Sequence, residues 1–77
     1  VREWLKELRE NSKMSQQNIA DRLGITQNYY SMIELGTRMP KMTIEMAEKL
    51  SDALGVPLAT ILENERMLGQ RKRGGIL

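Results

Sequence analysis

An all-α domain of five short helices is what this sequence predicts, on three observations. Apolar residues return at spacings of three and four along successive segments, the period of a helix with one buried face. The segments ending at Leu23, Leu35 and Leu54 run straight into Gly24, Gly36 and Gly55, the residue type that stops a helix in the left-handed conformation. Ser15 and Thr26 stand where the second and third helices need a side-chain cap for their first free N–H groups.

The first helix spans Val1 to Asn11, with Val1, Leu5 and Leu8 on one stripe and Arg2, Glu3, Lys6, Glu7 and Glu10 around it. Trp4 sits at the edge of that stripe, where partial core packing is favoured over an exposed dimer contact. Ser12 and Lys13 break the pattern and Met14 turns inward. The second helix follows Ser15 and carries Ile19, Ala20 and Leu23 on its inner face. The third follows Thr26, turns Tyr30 and Ile33 inward, and leaves Gln27, Asn28, Ser31 and Met32 outside. Two helices joined by so short a turn at Gly24 must cross steeply. That is the helix-turn-helix, whose second helix is able to lie in a DNA major groove.

Pro40 ends any continuation after Gly36 and makes Thr37 to Met42 an extended loop carrying Arg38 and Lys41. A fourth helix runs from about Thr43 to Leu54, with Ile44, Ala47, Leu50 and Leu54 as its core face. Pro57 suits the first turn of a fifth, in which Leu58, Ile61 and Leu62 pack back and Glu65 and Leu68 continue the stripe. This helix outruns the core. Met67 and Leu68 then form an apolar strip for a second subunit to cover, which makes them the candidate dimer contact. The domain is expected over residues 1–68, and residues 69–77, GQRKRGGIL, as a basic tail. Irregular chain is its default reading; a basic arm tracking DNA phosphates is the sharper one.

Composition narrows the chemistry. With 77 residues the chain holds one small domain, near the lower limit for a self-stabilising core. It has neither cysteine nor histidine, so disulfides, thiolate metal sites and the commonest general base are ruled out, and no cofactor or metal is expected. The carboxylates are scattered beside Lys and Arg on helical faces, the pattern of solvated surface and not of an acid/base dyad. An enzyme is therefore not expected. The six methionines fall mostly at inward or edge positions, where they fill gaps. No apolar run approaches the roughly 20 residues of a membrane span and no signal peptide is visible, so a cytoplasmic, nucleoid-associated protein is expected. The first residue is Val1, which leaves the start codon open.

The net charge is +2 and the pI near 9.2, yet Arg71, Lys72 and Arg73 carry three positive charges, so the residues before them sum to −1. Affinity for an anionic partner must come from a local patch. Lys13, Arg22, Arg38 and Lys41 are its candidates, against the simpler reading that they are solvated.

Several short motifs recur in a specific order. They are Leu5-x-x-Leu8-Arg9, Met14-Ser15-Gln16-x-x-Ile19-Ala20-x-x-Leu23-Gly24-Ile25, Tyr30-x-x-Ile33-Glu34-x-Gly36-x-x-x-Pro40, and Ala53-Leu54-Gly55-Val56. With them the chain resembles, from Leu5 to Leu62, the Cro/phage-repressor (XRE) family of compact, five-helix, lambda-repressor-like DNA-binding domains. The resemblance implies that Gln16 opens the second helix and bonds a phosphate, and that Gln27, Asn28 and Met32 face base edges. Amide side chains there bond adenine bidentately and Met32 packs on a thymine methyl. It also implies phosphate contacts from Thr26 and Tyr29, with packing the larger part of the Tyr29 role, and backbone clamps at Arg38 and Lys41. Arg9 and Glu34 match an ion pair that ties the first helix to the third.

Three positions depart from the family pattern. Lys13 replaces a usual glycine, Leu35 a usual polar residue, and Lys41 the usual small cap of the fourth helix. The function implied is a sequence-specific transcriptional regulator, a prokaryotic or prophage repressor that binds double-stranded DNA as a homodimer with half-sites about 34 Å apart. The competing expectation is a protein-interaction module on the same fold, antitoxin-like or a repressor partner, kept open by Leu35 and the near-neutral globule.

Overall fold

The structure is a computed structural model that describes the backbone of residues 1–74 and the side chains of residues 1–67. Five helices follow in order: α1 (Glu3–Asn11), α2 (Gln16–Leu23), α3 (Gln27–Leu35), α4 (Ile44–Leu54) and α5 (Leu58–Gly74). No strand occurs among the described residues.

Local chemistry sets the helix ends. The Ser15 hydroxyl accepts the Asn18 N–H at 3.0 Å while Asn18 Oδ1 accepts the Ser15 N–H at 3.2 Å, so two N-terminal donors of α2 are satisfied reciprocally. Gly24 stops α2 at φ +75°, a conformation costly for a residue with a Cβ, and that sharp reversal separates α2 from α3 by three residues. Thr26 Oγ1 caps α3 through the Tyr29 N–H at 3.1 Å. Thr43 Oγ1 does the same for α4 through Met46, which corrects the expectation that the cap stood at Lys41. Only a short acceptor oxygen directly before the helix reaches those N–H groups.

The core is built from Leu5, Ile19, Ala20, Tyr30, Ile33, Ala47, Leu50 and Ile61, all fully buried. Helix α2 packs on α3 and α4, α4 on α5, and α1 on α3. Three expectations about this packing are corrected. Val1 and Ile44 are not core: they are 66% and 61% exposed. Val1 precedes α1, so the helical period never applied to it. Ile44 is the first residue of α4 and lies roughly 120° around the helix from Leu50, at 100° per residue. The real stripe is Met46, Ala47, Leu50, Ala53 and Leu54. Arg2 is the third. Expected on the polar rim, it is 2% exposed.

In α5, Ile61 is buried, whereas Leu62, expected to pack back beside it, is exposed. The backbone stays helical through Gly69 to Gly74, where an irregular tail was expected. Glycine in a helix costs about 1 kcal/mol relative to alanine, which weakens a helix without ending it. Two residues other than glycine adopt positive φ: Lys13 at +60° in the α1–α2 turn and Met39 at +55° before Pro40. The Lys13 value explains why a glycine is usual there.

Candidate nucleic-acid interface

Helix α3 is amphipathic in the sense its sequence requires. Tyr30, Ile33 and Glu34 are buried, Gln27 and Asn28 are exposed, and Ser31 and Met32 are half-buried between them. Thr26, Asn28, Tyr29, Met32 and Arg38 line an open surface hollow of about 380 Å³. This brings together five of the residues singled out in the sequence, from the α3 cap, the α3 outer face and the following loop. Gln27 is exposed at the first turn of α3 outside that lining, and Lys41 is exposed in the loop. The Thr26 hydroxyl accepts its capping bond, so its O–H remains available as a donor.

The electrostatics favour an anion here. Neither α2 nor α3 has an acidic residue in its first turn, a property shared with α5, whereas α1 has Glu3 and α4 has Glu45. The positive ends of the two helix-turn-helix dipoles are thus left uncompensated. Arg22 is engaged elsewhere, donating to the Ala53 carbonyl at 3.4 Å.

Behind the exposed face lies a buried polar cluster centred on Glu34. Its Oε2 accepts from Arg9 Nε at 2.6 Å and from the Tyr30 hydroxyl at 2.6 Å, and its Oε1 accepts from Gln16 Nε2 at 3.1 Å. Arg9 also donates to the Met14 carbonyl at 2.9 Å, so one guanidinium spans α1, the α1–α2 turn and α3. Burial pushes the Glu34 carboxyl up, but the bonds from Arg9, Tyr30 and Gln16 outweigh it and hold the group below the usual carboxylate range. Burial and the bond to Glu34 push the Tyr30 phenol up. The bond to Glu34 raises Arg9 further against the opposing effect of burial. All three keep their ordinary charge at neutral pH. Gln16, expected on a phosphate, has its amide N–H directed to this cluster.

A second network has no counterpart in the sequence reading. The Arg2 guanidinium donates to both carboxylate oxygens of Glu65 at 2.9 Å, to the Ile33 carbonyl at 2.7 Å, and to the Met39 and Pro40 carbonyls. Its backbone N–H donates to the Glu34 carbonyl at 2.7 Å. Arg2 and Glu65 are 63 positions apart, and no short-range pattern signals such a pair. Met67 is exposed, as the dimer candidate requires, whereas the Leu68 side chain lies outside the described residues. Leu35 is 53% exposed at the end of α3. Among the described residues no cluster of acidic side chains could hold a metal ion, and no helix is long and apolar enough to cross a membrane.

A family model described as helix-turn-helix matches residues 5–61. The chain is 41% identical over 63 residues to the uncharacterized HTH-type transcriptional regulator YqaE of Bacillus subtilis, covering 82% of this chain and 53% of that protein. It is 33% identical over 60 residues to the cryptic phage CTXphi transcriptional repressor RstR of Vibrio cholerae, covering 78% of this chain and 52% of that protein. It is 33% identical over 64 residues to the uncharacterized HTH-type transcriptional regulator YqaF of Bacillus subtilis, covering 83% and 82%. The chain thus spans about half the length of the first two of these relatives. No solved structure matches. With its α2–α3 geometry and a match over most of its length, the chain belongs to the helix-turn-helix family, which is not an enzyme class.

Proposed function

We propose that this chain is the DNA-binding unit of a transcriptional repressor that reads an operator major groove with α3 and acts as a homodimer. The observation that carries the reading is the hollow lined by Thr26, Asn28, Tyr29, Met32 and Arg38, which joins base-reading and phosphate-binding chemistry on one exposed face. Gln27 and Asn28 read base edges, Met32 packs on a thymine methyl, and Thr26, Tyr29, Arg38 and Lys41 hold phosphates. Gln16 contributes its place at the α2 N-terminus, because its amide is bound to Glu34. The names of the relatives, two regulators and a phage repressor, support the same reading.

A homodimer follows from the size of the reading surface: one α3 contacts few base pairs, and two related by a two-fold axis gain affinity and specificity together. The exposed Met67 on α5 supports that helix as the contact. Selection from a random duplex library at about physiological salt tests the proposal, with a Gln27→Ala/Asn28→Ala variant alongside. An inverted repeat, lost or altered in the variant, is the expected result. Folded protein that enriches no duplex would favour the other reading, a protein-interaction module, for which the exposed Leu35 speaks.

A further inference from the structure

The loop between α3 and α4 carries Arg38 and Lys41, both exposed, and it contains a residue in a conformation that side chains disfavour, Met39 at φ +55°. Such a segment holds one shape only if its surroundings specify it. At its start the α3 end does so: the Gly36, Thr37 and Arg38 N–H groups all point to the Met32 carbonyl. From Met39 onward the α3 backbone supplies no further partner. The Met39 and Pro40 carbonyls accept from the Arg2 guanidinium, and the Met42 N–H donates to Glu65 Oε2 at 3.4 Å. One ion pair therefore grips the loop on its carbonyl side through Arg2 and on its amide side through Glu65. Arg2 also holds the Ile33 carbonyl near the end of α3, so the loop is registered against that helix and α5 at once.

We infer that Arg2 and Glu65 are positioning residues for DNA binding, which set the phosphate contacts of Arg38 and Lys41 without touching the duplex. The inference rests on the DNA-binding reading above. The chemistry requires these residue types. A guanidinium presents several donors in a fixed fork, so it serves a carboxylate and separate carbonyls together; an ammonium has the charge but not the reach. Arg2 is 2% exposed and its Glu65 partner's side chain 20%, so the pair is shielded from salt in a way that the exposed loop cations are not.

The test uses Arg2→Lys and Glu65→Gln, with Arg38→Ala/Lys41→Ala as reference. Two quantities are read well below each melting temperature: amide exchange of the loop N–H groups of Arg38 and Met42, both of which have an acceptor, in free protein, and the salt dependence of binding to the selected duplex. The reference variant should make the log–log salt slope of the dimer shallower by about 3.6, four phosphates at roughly 0.9 each, two from each subunit. Arg2→Lys and Glu65→Gln should move the slope in the same direction and speed loop exchange at least tenfold more than they speed exchange of the α2 amides. A merely destabilised fold would speed loop and α2 exchange alike and leave the slope alone. Wild-type slope or wild-type loop exchange in both clamp variants overturns the inference by itself, as does a wild-type slope in the reference variant. Wild-type protein that binds no duplex overturns the DNA reading and this inference with it.

Discussion

Two arginine–glutamate pairs join distant parts of this small domain, and they differ in which partner is the more enclosed. In Arg9–Glu34 the carboxylate is the enclosed group, with Arg9, Tyr30 and Gln16 all donating to it inside the helix-turn-helix. In Arg2–Glu65 it is the guanidinium, ringed by Ile33, Met39 and Glu65, while Glu65 is partly open to water. The more enclosed member is also the one that holds the most bonds, Glu34 from three side chains and Arg2 to Glu65 and three carbonyls, so its removal breaks the most. Each arginine also braces a strained turn: Arg9 donates to the carbonyl of Met14, next to Lys13, and Arg2 to that of Met39.

The largest effect should come from Glu34→Ala. It leaves the Arg9 charge and the Tyr30 hydroxyl unpaired, and thermal denaturation should show a loss of about 3–5 kcal/mol, whereas the exposed Gln27→Ala should stay within about 0.5 kcal/mol. Equal melting curves would remove the distinction. The same carboxylate predicts an acid limb. Because its folded pKa lies below the unfolded value, its stabilisation is complete above that unfolded value and fades as pH falls through the folded one. Urea titrations from pH 6 downward should therefore lose part of their slope with pH in Glu34→Gln.

Arg2→Lys should cost about 2–3 kcal/mol, through bonds that an ammonium cannot all replace. If Glu65→Ala costs more than Arg2→Ala in urea unfolding, the enclosed-member rule is wrong for the second pair. Tyr30→Phe should cost about 1–2 kcal/mol by taking one donor from Glu34. It should also abolish the loss of stability above about pH 10, since the raised phenol keeps its proton in the folded state and releases it on unfolding. The smallest change is a gain: Lys13→Gly relieves positive φ and should add up to about 1 kcal/mol, measurable as a raised melting temperature. Met39→Gly should gain less, because the Met39 side chain packs against the core.

The first pair was legible and the second was not, for a physical reason. Caps, glycine stops and the inner face of α3 depend on residues three or four apart, and Ser15, Gly24, Thr26, Tyr30 and Ile33 carry them openly. Arg9 and Glu34 emerged only because their family motif pairs them. Arg2 looked like any charged residue on a helix rim, since its role comes from carbonyls on a loop and a carboxylate on the last helix. Ile44 shows the limit of spacing itself: a three-residue interval fits the period locally and still drifts off the face. The site residues show another. The family resemblance implied a phosphate contact for Gln16 and was silent on the bond its amide makes to Glu34 between α2 and α3, which no interval in the chain encodes.

The separation of Arg2 from Glu65 also orders events in time. Helices α2 and α3 adjoin in sequence and can pack as soon as both exist, with little chain entropy lost in closing their short turn. The Arg2 contact cannot close until residue 65 has left the site of synthesis and α5 has docked. A nascent chain would thus own a formed α3 while the basic loop beside it was still searching. The loop geometry proposed for phosphate contact would be complete only once α5 has docked, and all at once.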